Sequence, residues 1–223
     1  AYFQAYTNTY AGTEQLKQKY EEALAVADVV GLVIATRPDC VSDDLLDYLT
    51  TLQRRTFVLV EYGIESTCEA TLQRINRQHT YQDTIDAVGR TALRGIPVGG
   101  HIILGLPGET HDTLVSQAAT LSALPLTTLK MHQLQIIRGT RMAREYEQHP
   151  EEFRFTDLDA YVDLLIDYIE HLRPDLVLER FVSQSPEALL IAPHWGLKNH
   201  EFTAVLRKRM TQLGAYQGKK YGS

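Results

Sequence analysis

The chain has 223 residues, of which 44% are hydrophobic and 22% are charged, and its formal net charge at pH 7 is -6. This composition predicts a globular protein with one substantial core and excludes disordered and collagen-like chains. The negative charge argues against a surface that coats nucleic acid, which needs clustered Lys and Arg, although a tRNA substrate is not excluded. The longest apolar run, residues 29–35, is far shorter than the roughly 20 residues of a membrane span, so we expect a soluble, cytoplasmic protein.

Short apolar runs alternate with amphipathic helical segments along the chain, which is typical of βα units and a parallel sheet. The runs are almost continuously apolar, as strands covered on both faces require. The pattern predicts five clear strands and a sixth candidate, at residues 2–6, 30–35, 57–62, 98–104, 129–137 and 176–182.

Capping residues and a change of pattern indicate how the chain is organised. Ser42, which is followed by two aspartates, and Thr110 have the character of helix N-caps. Beyond Pro150 the alternation loosens into one long helical segment, and a further helix is predicted at residues 200–213. We therefore predict a barrel domain at residues 1–150 and a mainly helical C-terminal extension at residues 151–223.

The carboxyl ends of the predicted strands are the expected location of any ligand, because chemistry gathers there in parallel α/β folds. Each of these ends combines polar residues with Gly, Pro or Thr, which are suited to shaping backbone around a ligand. The five segments are residues 7–9, 36–39, 63–66, 105–110 and 138–140.

Glu61 and Glu65 lie four residues apart on one predicted strand, so their side chains are expected on one face. At about 3.3 Å per residue they would be ~13 Å apart, which is too far for the carboxylate pair of a glycosidase. Inward-pointing carboxylates in a barrel are costly unless a ligand or a cation answers them. Each is therefore either part of a functional site or one half of a buried structural ion pair.

Lys130 and His132 alternate on the fifth predicted strand and share a face with Leu134 and Ile136. That face is expected to point into the barrel. His132 is either a functional residue or a histidine satisfied within the core. With Glu61, these two residues are the candidates for contact with a substrate.

Four sequence segments carry a family resemblance: GIES at residues 63–66, LQRINRQHT at 72–80, ILGLPGET at 103–110 and HQLQIIRGT at 132–140. In this order and spacing they resemble the radical S-adenosylmethionine (SAM) superfamily. The branch concerned includes coproporphyrinogen dehydrogenase and the YhcC-like iron-sulfur oxidoreductases. The resemblance covers residues 1–145.

The resemblance implies a partial (β/α)6 barrel of the α/β class, in which the five clear strands are numbers two to six. The first strand and its Cys-x-x-x-Cys-x-x-Cys loop would lie outside a chain that opens within a strand. In the family this loop binds a [4Fe-4S] cluster, and reductive cleavage of SAM yields a deoxyadenosyl radical. SAM and the cluster are thus expected cofactors of the full-length protein. Neither the cluster nor its ligands are expected in this fragment, which should be inactive alone.

Cys40 and Cys68 lie on different predicted loops and do not match the cluster motif, so we expect reduced thiols at both positions. Among the other residues, Glu65 and Arg77 match family positions that contact the ribose hydroxyls and the methionine carboxylate. His101 stands where some relatives use an acidic ribose partner. The resemblance implies as cofactor-binding residues Asn8, Arg37, Glu65, Ser66, Arg77, His101, Ile103, Gly105 and Ile136.

The remaining positions correspond less directly to the family pattern. Asn8 replaces part of a glycine-rich motif that receives the methionine ammonium group. Ile103 and Gly105 correspond to the adenine side of the site, which Ile136 could flank. Arg37 could bind the methionine carboxylate or a substrate, or it could form a structural salt bridge.

Two other functions are compatible with the same sequence. The first is a barrel that serves as a binding or scaffold protein without a cluster. The second is a conventional barrel hydrolase or aldolase that works with Glu61, Lys130 and His132. For the fragment itself, an open sheet edge at residues 2–6 predicts self-association or coverage by the C-terminal segment. The substrate is not determined by the fold.

Overall fold

The computed structural model of the chain describes residues 1–154 and 157–222, and its centre is a six-stranded parallel sheet. The strand order is β1-β2-β3-β4-β5-β7, and every neighbouring pair is parallel. The predicted α/β class and partial barrel are therefore confirmed. The strands of this sheet are β1 (Tyr2–Phe3), β2 (Gly31–Thr36), β3 (Phe57–Glu65), β4 (Val98–Leu104), β5 (Thr128–Gln133) and β7 (Val177–Arg180).

Helices follow the strands, as the alternating pattern predicts. Ser42 Oγ accepts a hydrogen bond from the Leu45 amide, and Thr110 Oγ1 accepts one from Thr113, so both predicted caps form. The helices are α1 (Thr13–Leu24), α2 (Asp43–Gln53), α3 (Glu69–Arg74), α4 (Tyr81–Leu93), α5 (His111–Ser122), α6 (Arg141–Gln148), α7 (Leu158–His171) and α8 (Asn199–Leu213), with 3-10 turns at Pro38–Cys40 and Pro150–Glu152.

The fifth predicted strand is wrong in its length, because the apolar run at residues 129–137 divides in two. After β5 ends at Gln133, β6 (Ile136–Ile137) leaves the main sheet and pairs antiparallel with β8 (Leu190–Ala192). The break is held by Gln133 and Gln135, whose side chains donate hydrogen bonds to the carbonyl oxygen of Ser183. The first predicted strand is also shorter than expected, since the chain leaves the sheet after Phe3.

One hydrophobic core joins both halves of the chain. Tyr161, Leu165 and Tyr168 of α7 are fully buried in the same cluster as Leu32 of β2 and Val60 of β3. The extension thus completes the barrel's outer layer, and β7 extends its sheet. Among the described residues, no helix is long and apolar enough to cross a bilayer.

Candidate functional site

Polar side chains from five strands meet on the inner face of the sheet. They come from β1, β3, β4, β5 and β7, and they form a continuous network around a buried centre at Glu61 and Lys130. The helices cover the outer face of the sheet with apolar residues. The inner face differs because polar and charged side chains lie there, which is uncommon in a protein interior. The members are Tyr2, Glu61, His101, Lys130 and Glu179.

Glu61 is the centre of this network and is 1% exposed. Its Oε1 accepts a hydrogen bond from Lys130 Nζ at 2.5 Å, while its Oε2 accepts from the Tyr2 hydroxyl at 2.8 Å and bonds with His101 Nε2 at 2.9 Å. Burial alone would raise the pKa of Glu61, but the bonds from His101 and Lys130 lower it to about 2. The carboxylate is therefore ionised and fully engaged.

Lys130 is a charged structural partner in this arrangement. Burial alone would lower the pKa of its ammonium, but the hydrogen bond and charge of Glu61 raise it above the ordinary value. Glu179 lies 3.3 Å from the same Nζ, and the ring of Tyr2 lies 4.9 Å away. An amine held as a cation is a poor nucleophile, so this geometry does not favour a conventional Lys/Glu barrel enzyme.

His101 and His132 connect this network to a cavity at the carboxyl ends of β3, β4 and β5. Their rings stack with centroids 5.7 Å apart. Burial, together with nearby positive charge, lowers the pKa of His132 to about 4, so its imidazole is neutral at pH 7. His132 Nε2 is buried and has no hydrogen-bond partner among the described residues. A buried, unsatisfied nitrogen beside a cavity is typical of a ligand site.

Glu65 and Arg77 form a second ion pair, with Oε1 and Nη2 2.9 Å apart. A register shift between Gly63 and Glu65 breaks the regular strand there, so the predicted regular spacing from Glu61 does not apply. A Cβ at Gly63 would lie 2.5 Å from Arg77 Nη2 and 2.6 Å from Glu65 Oε1, so the glycine leaves room for the pair. Burial raises the pKa of Glu65 despite the neighbouring guanidinium.

A cavity of about 320 Å³ lies at the carboxyl ends of β3, β4 and β5. It brings together four of the predicted residues, namely Glu65, His101, Ile103 and His132. Sequence reasoning missed four other lining residues, because three of them are neutral polar side chains and the fourth is a leucine, and neither type marks a site in the sequence. These are Gln133, Leu134, Gln135 and Ser183.

Four of the other predicted cofactor residues are engaged elsewhere. The Asn8 side chain donates hydrogen bonds to the carbonyl oxygens of Phe3 and Ala35. Arg37 pairs with Asp39 at 2.5 Å, which matches the salt bridge considered as its alternative role. The two remaining residues, Ser66 and Ile136, are buried, the first against Glu109 and the second in a separate apolar cluster.

Gly105 and the two cysteines, which the sequence also singles out, lie at the ends of regular elements. Gly105 follows β4 with a φ of 91°, a backbone conformation that favours glycine. Cys40 lines a second cavity of about 860 Å³ near Arg37, and Cys68 precedes α3. Both thiols are free. Within residues 1–154 and 157–222, no group of three or more Cys, His, Asp or Glu side chains is arranged to bind a metal ion.

Family models match almost the whole chain. A model of the radical SAM superfamily matches residues 3–118, and a model of the radical SAM C-terminal domain matches residues 126–212. The division between the two models falls at residues 119–125, at the end of α5 and in the segment that leads to β5. The second model therefore includes β5, the strand that carries Lys130 and His132.

The chain is also similar to curated relatives and, in its fold, to a solved structure. The chain is 40% identical over 219 residues to YtqA of Bacillus subtilis, which covers 98% of the chain and 67% of the relative. It is 33% identical over 196 residues to YhcC of Escherichia coli, covering 87% of the chain and 63% of that protein. The structure of Elp3 from the archaeon Methanocaldococcus infernus superposes with a TM-score of 0.73 at 19% identity, covering 91% of the chain and 46% of Elp3. The chain thus spans about two thirds of the length of these curated relatives.

Proposed function

The chain belongs to the radical SAM superfamily, in its YhcC-like branch, and we propose that it forms the SAM-binding part of an iron-sulfur radical enzyme. The observation that carries this proposal is the Glu65–Arg77 pair at the carboxyl end of β3, beside a cavity lined by Glu65. A carboxylate accepts hydrogen bonds from vicinal hydroxyls, and a guanidinium binds a carboxylate. The pair therefore offers both groups that the ribose and the methionine end of SAM require.

The described residues fit such a ligand in two further respects. Arg77 Nε is buried and has no hydrogen-bond partner among the described residues, so its guanidinium has donor capacity that the ion pair with Glu65 does not use. Ile103 provides an apolar wall of the same cavity for a flat ring, and His101 adds a polar group beside Glu65. When bound, SAM supplies a deoxyadenosyl radical after one-electron reduction. The residues of this chain would bind it, orient its ribose and exclude water.

The cluster does not fit the described residues, because only two of them are cysteines, these belong to different elements, and no group of three metal-binding side chains is arranged among them. We propose that its ligands come from a part of the full-length protein outside these residues. The substrate and the outcome of the reaction, including oxidoreductase chemistry, belong to that whole protein. A porphyrin-like molecule, a tRNA base, a peptide and a small metabolite all remain within the scope of the proposal.

Calorimetric titration of SAM into the 223-residue chain tests the binding proposal directly. We expect Arg77→Met and Glu65→Gln each to weaken binding about tenfold, which corresponds to the loss of one charge-assisted contact. Arg94→Met is the matched control, because Arg94 forms surface ion pairs with Asp43 and Asp47. Equal affinity in all four proteins would contradict the proposal.

The full-length protein tests the cluster. We expect about four irons per chain after anaerobic reconstitution, with an electron paramagnetic resonance spectrum that changes when SAM is added. A full-length protein that takes up no iron and does not bind SAM would instead support a scaffold or binding role for the barrel.

A further inference from the structure

Glu109 is a buried carboxylate that does not line the cavity at the carboxyl ends of β3, β4 and β5. It follows β4 in the LGLPGET segment and is 3% exposed. It forms no ion pair among the described residues, unlike Glu61 and Glu65, and burial raises its pKa. A carboxylate without a cation in a protein interior is costly, so its hydrogen bonds need an explanation.

Two side-chain hydrogen bonds of Glu109 lead to the turn that follows Glu65. Glu109 Oε1 accepts from Ser66 Oγ at 2.6 Å and from Gln117 Nε2 at 2.9 Å. Ser66 Oγ in turn accepts from the Cys68 amide at 3.1 Å, and Gln117 Oε1 accepts from the Thr67 amide at 3.3 Å. Two successive backbone amides after Glu65 are thus fixed by side chains that meet on one carboxylate oxygen.

The backbone at Glu65 requires such support. Its φ is 65°, in the left-handed region, where a residue other than glycine is strained. This conformation, together with the register shift beside Gly63, is what turns the carboxylate towards Arg77. A strained residue keeps its conformation only when the surrounding structure holds it.

We propose that Glu109 is a positioning residue for the SAM site: it holds the turn at residues 66–68 and thereby presets the Glu65 carboxylate beside Arg77. This inference rests on the proposed function and deepens it. Glu109 acts through Ser66 and Gln117, since it does not line the cavity that Glu65 lines. It couples the strand-end segment at residues 63–66 to the segment at 103–110, two of the motifs that the sequence singles out.

Two substitutions at Glu109 separate this role from a general contribution to stability. Glu109→Gln keeps an oxygen that accepts from Ser66 and Gln117 and removes the buried charge. Glu109→Ala removes the acceptor. The control is Glu69→Ala on the neighbouring helix α3, because Glu69 accepts from the Tyr81 amide and, in the part of the chain that the structure describes, its side chain makes no bond to the turn. If Glu109→Ala does not fold, Ser66→Ala replaces it.

The experiment uses SAM as the probe with the cluster-free 223-residue chain and measures two quantities. Calorimetry gives the dissociation constant, and amide exchange by NMR gives the protection of the Thr67 and Cys68 amides. We expect Glu109→Ala to weaken SAM binding about tenfold and to accelerate exchange at both amides by a similar factor. Glu109→Gln and Glu69→Ala should stay within about twofold of the unchanged chain.

The outcomes distinguish the two proposals. Unchanged SAM binding by a folded Glu109→Ala chain, or a loss as large with Glu109→Gln as with Glu109→Ala, would overturn the positioning role. No binding of SAM by the unsubstituted chain would contradict the proposed function. In that case unaltered amide exchange in Glu109→Ala would overturn the positioning role independently, and faster exchange would support the hold on the turn.

Discussion

Glu61 and Lys130 form a 2.5 Å ion pair across the intervening strand β4, in the interior of the barrel. The two residues are 69 positions apart in the sequence, and Glu61 is almost completely buried. Each charge would be costly in this interior without the other, because hydrogen bonds to neutral groups do not fully offset the removal of an ion from water. The pair therefore ties β3 to β5 and sets the position of His101.

Removal of one partner should cost far more than removal of both. We expect Lys130→Met to lower the free energy of unfolding by about 3 to 5 kcal/mol, because Glu61 is left without its cation. The double substitution Lys130→Met with Glu61→Leu should recover most of this loss. Urea unfolding at pH 7 measures both.

The control for this prediction is an ion pair at the protein surface. Arg209→Met removes a solvent-exposed ion pair with Asp163 and should leave the free energy of unfolding almost unchanged. If the double variant is no more stable than Lys130→Met, the loss in the single variant does not come from the unpaired charge of Glu61, and this explanation is wrong.

His132 should make the fold sensitive to mild acid. Its pKa is about 4 in the folded chain and about 6.5 when unfolded, so protons bind the unfolded state preferentially between these values. The contribution of the neutral imidazole is complete above pH 6.5 and is lost as the pH falls towards 4. Between pH 7 and pH 4.5 the loss from this residue is about 2 kcal/mol.

His132→Gln removes this titration while keeping a polar side chain. We expect urea unfolding of the variant to lose about 2 kcal/mol less than the unsubstituted chain between pH 7 and pH 4.5. Glu61 does not affect the difference in pH dependence between the two proteins, since it is present in both and its pKa is about 2. Parallel pH dependence in the two proteins would show that His132 is protonated without cost.

The sequence predicts the architecture well where a strand is one continuous apolar run. The predicted bounds of β4 are those observed, because Pro97 precedes it and Gly105 follows it. The break after Gln133 could not be read, since the apolar residues at 134, 136 and 137 continue the run. Hydrogen bonds to Ser183, 50 residues further along the chain, decide where that strand ends.

The site was predictable only in part for a similar reason. Glu61 was expected to need a cation or a ligand, and Lys130 was expected on the same inner face, but their contact depends on the register between three strands. The role of Ser66 was invisible in the sequence, because its partner Glu109 is 43 residues away. Long-range pairing, more than local pattern, decides which polar residues face the cavity.

Gly99 is a third point at which the network can be tested. A Cβ at this position would lie 2.9 Å from Glu61 Cγ and 2.9 Å from Thr128 Oγ1. Glu61 cannot give way easily, since both carboxylate oxygens are held. We expect Gly99→Ala to lower the free energy of unfolding by about 1 to 3 kcal/mol.

Gly89→Ala is the matched control for that substitution. Gly89 lies within α4, and apart from its own helix no described residue would place an atom within 4 Å of an added Cβ there, so alanine should stabilise the chain by up to about 1 kcal/mol. Thermal unfolding of both variants gives opposite shifts. A Gly99→Ala variant as stable as the unsubstituted chain would mean that the side chains around Glu61 can move to accept the added methyl group.

The two cysteines allow a final prediction about the origin of the cluster. Cys40 and Cys68 lie on different elements, and no third metal-binding side chain joins either among the described residues. Burial raises the pKa of the Cys40 thiol, which opposes the thiolate that iron requires. We therefore expect the full-length protein with Cys40→Ser and Cys68→Ser to keep the iron and sulfide content of the unsubstituted protein after anaerobic reconstitution. A fall of about one iron or more per chain would show that one of these thiols is a ligand, and single substitutions would then identify which.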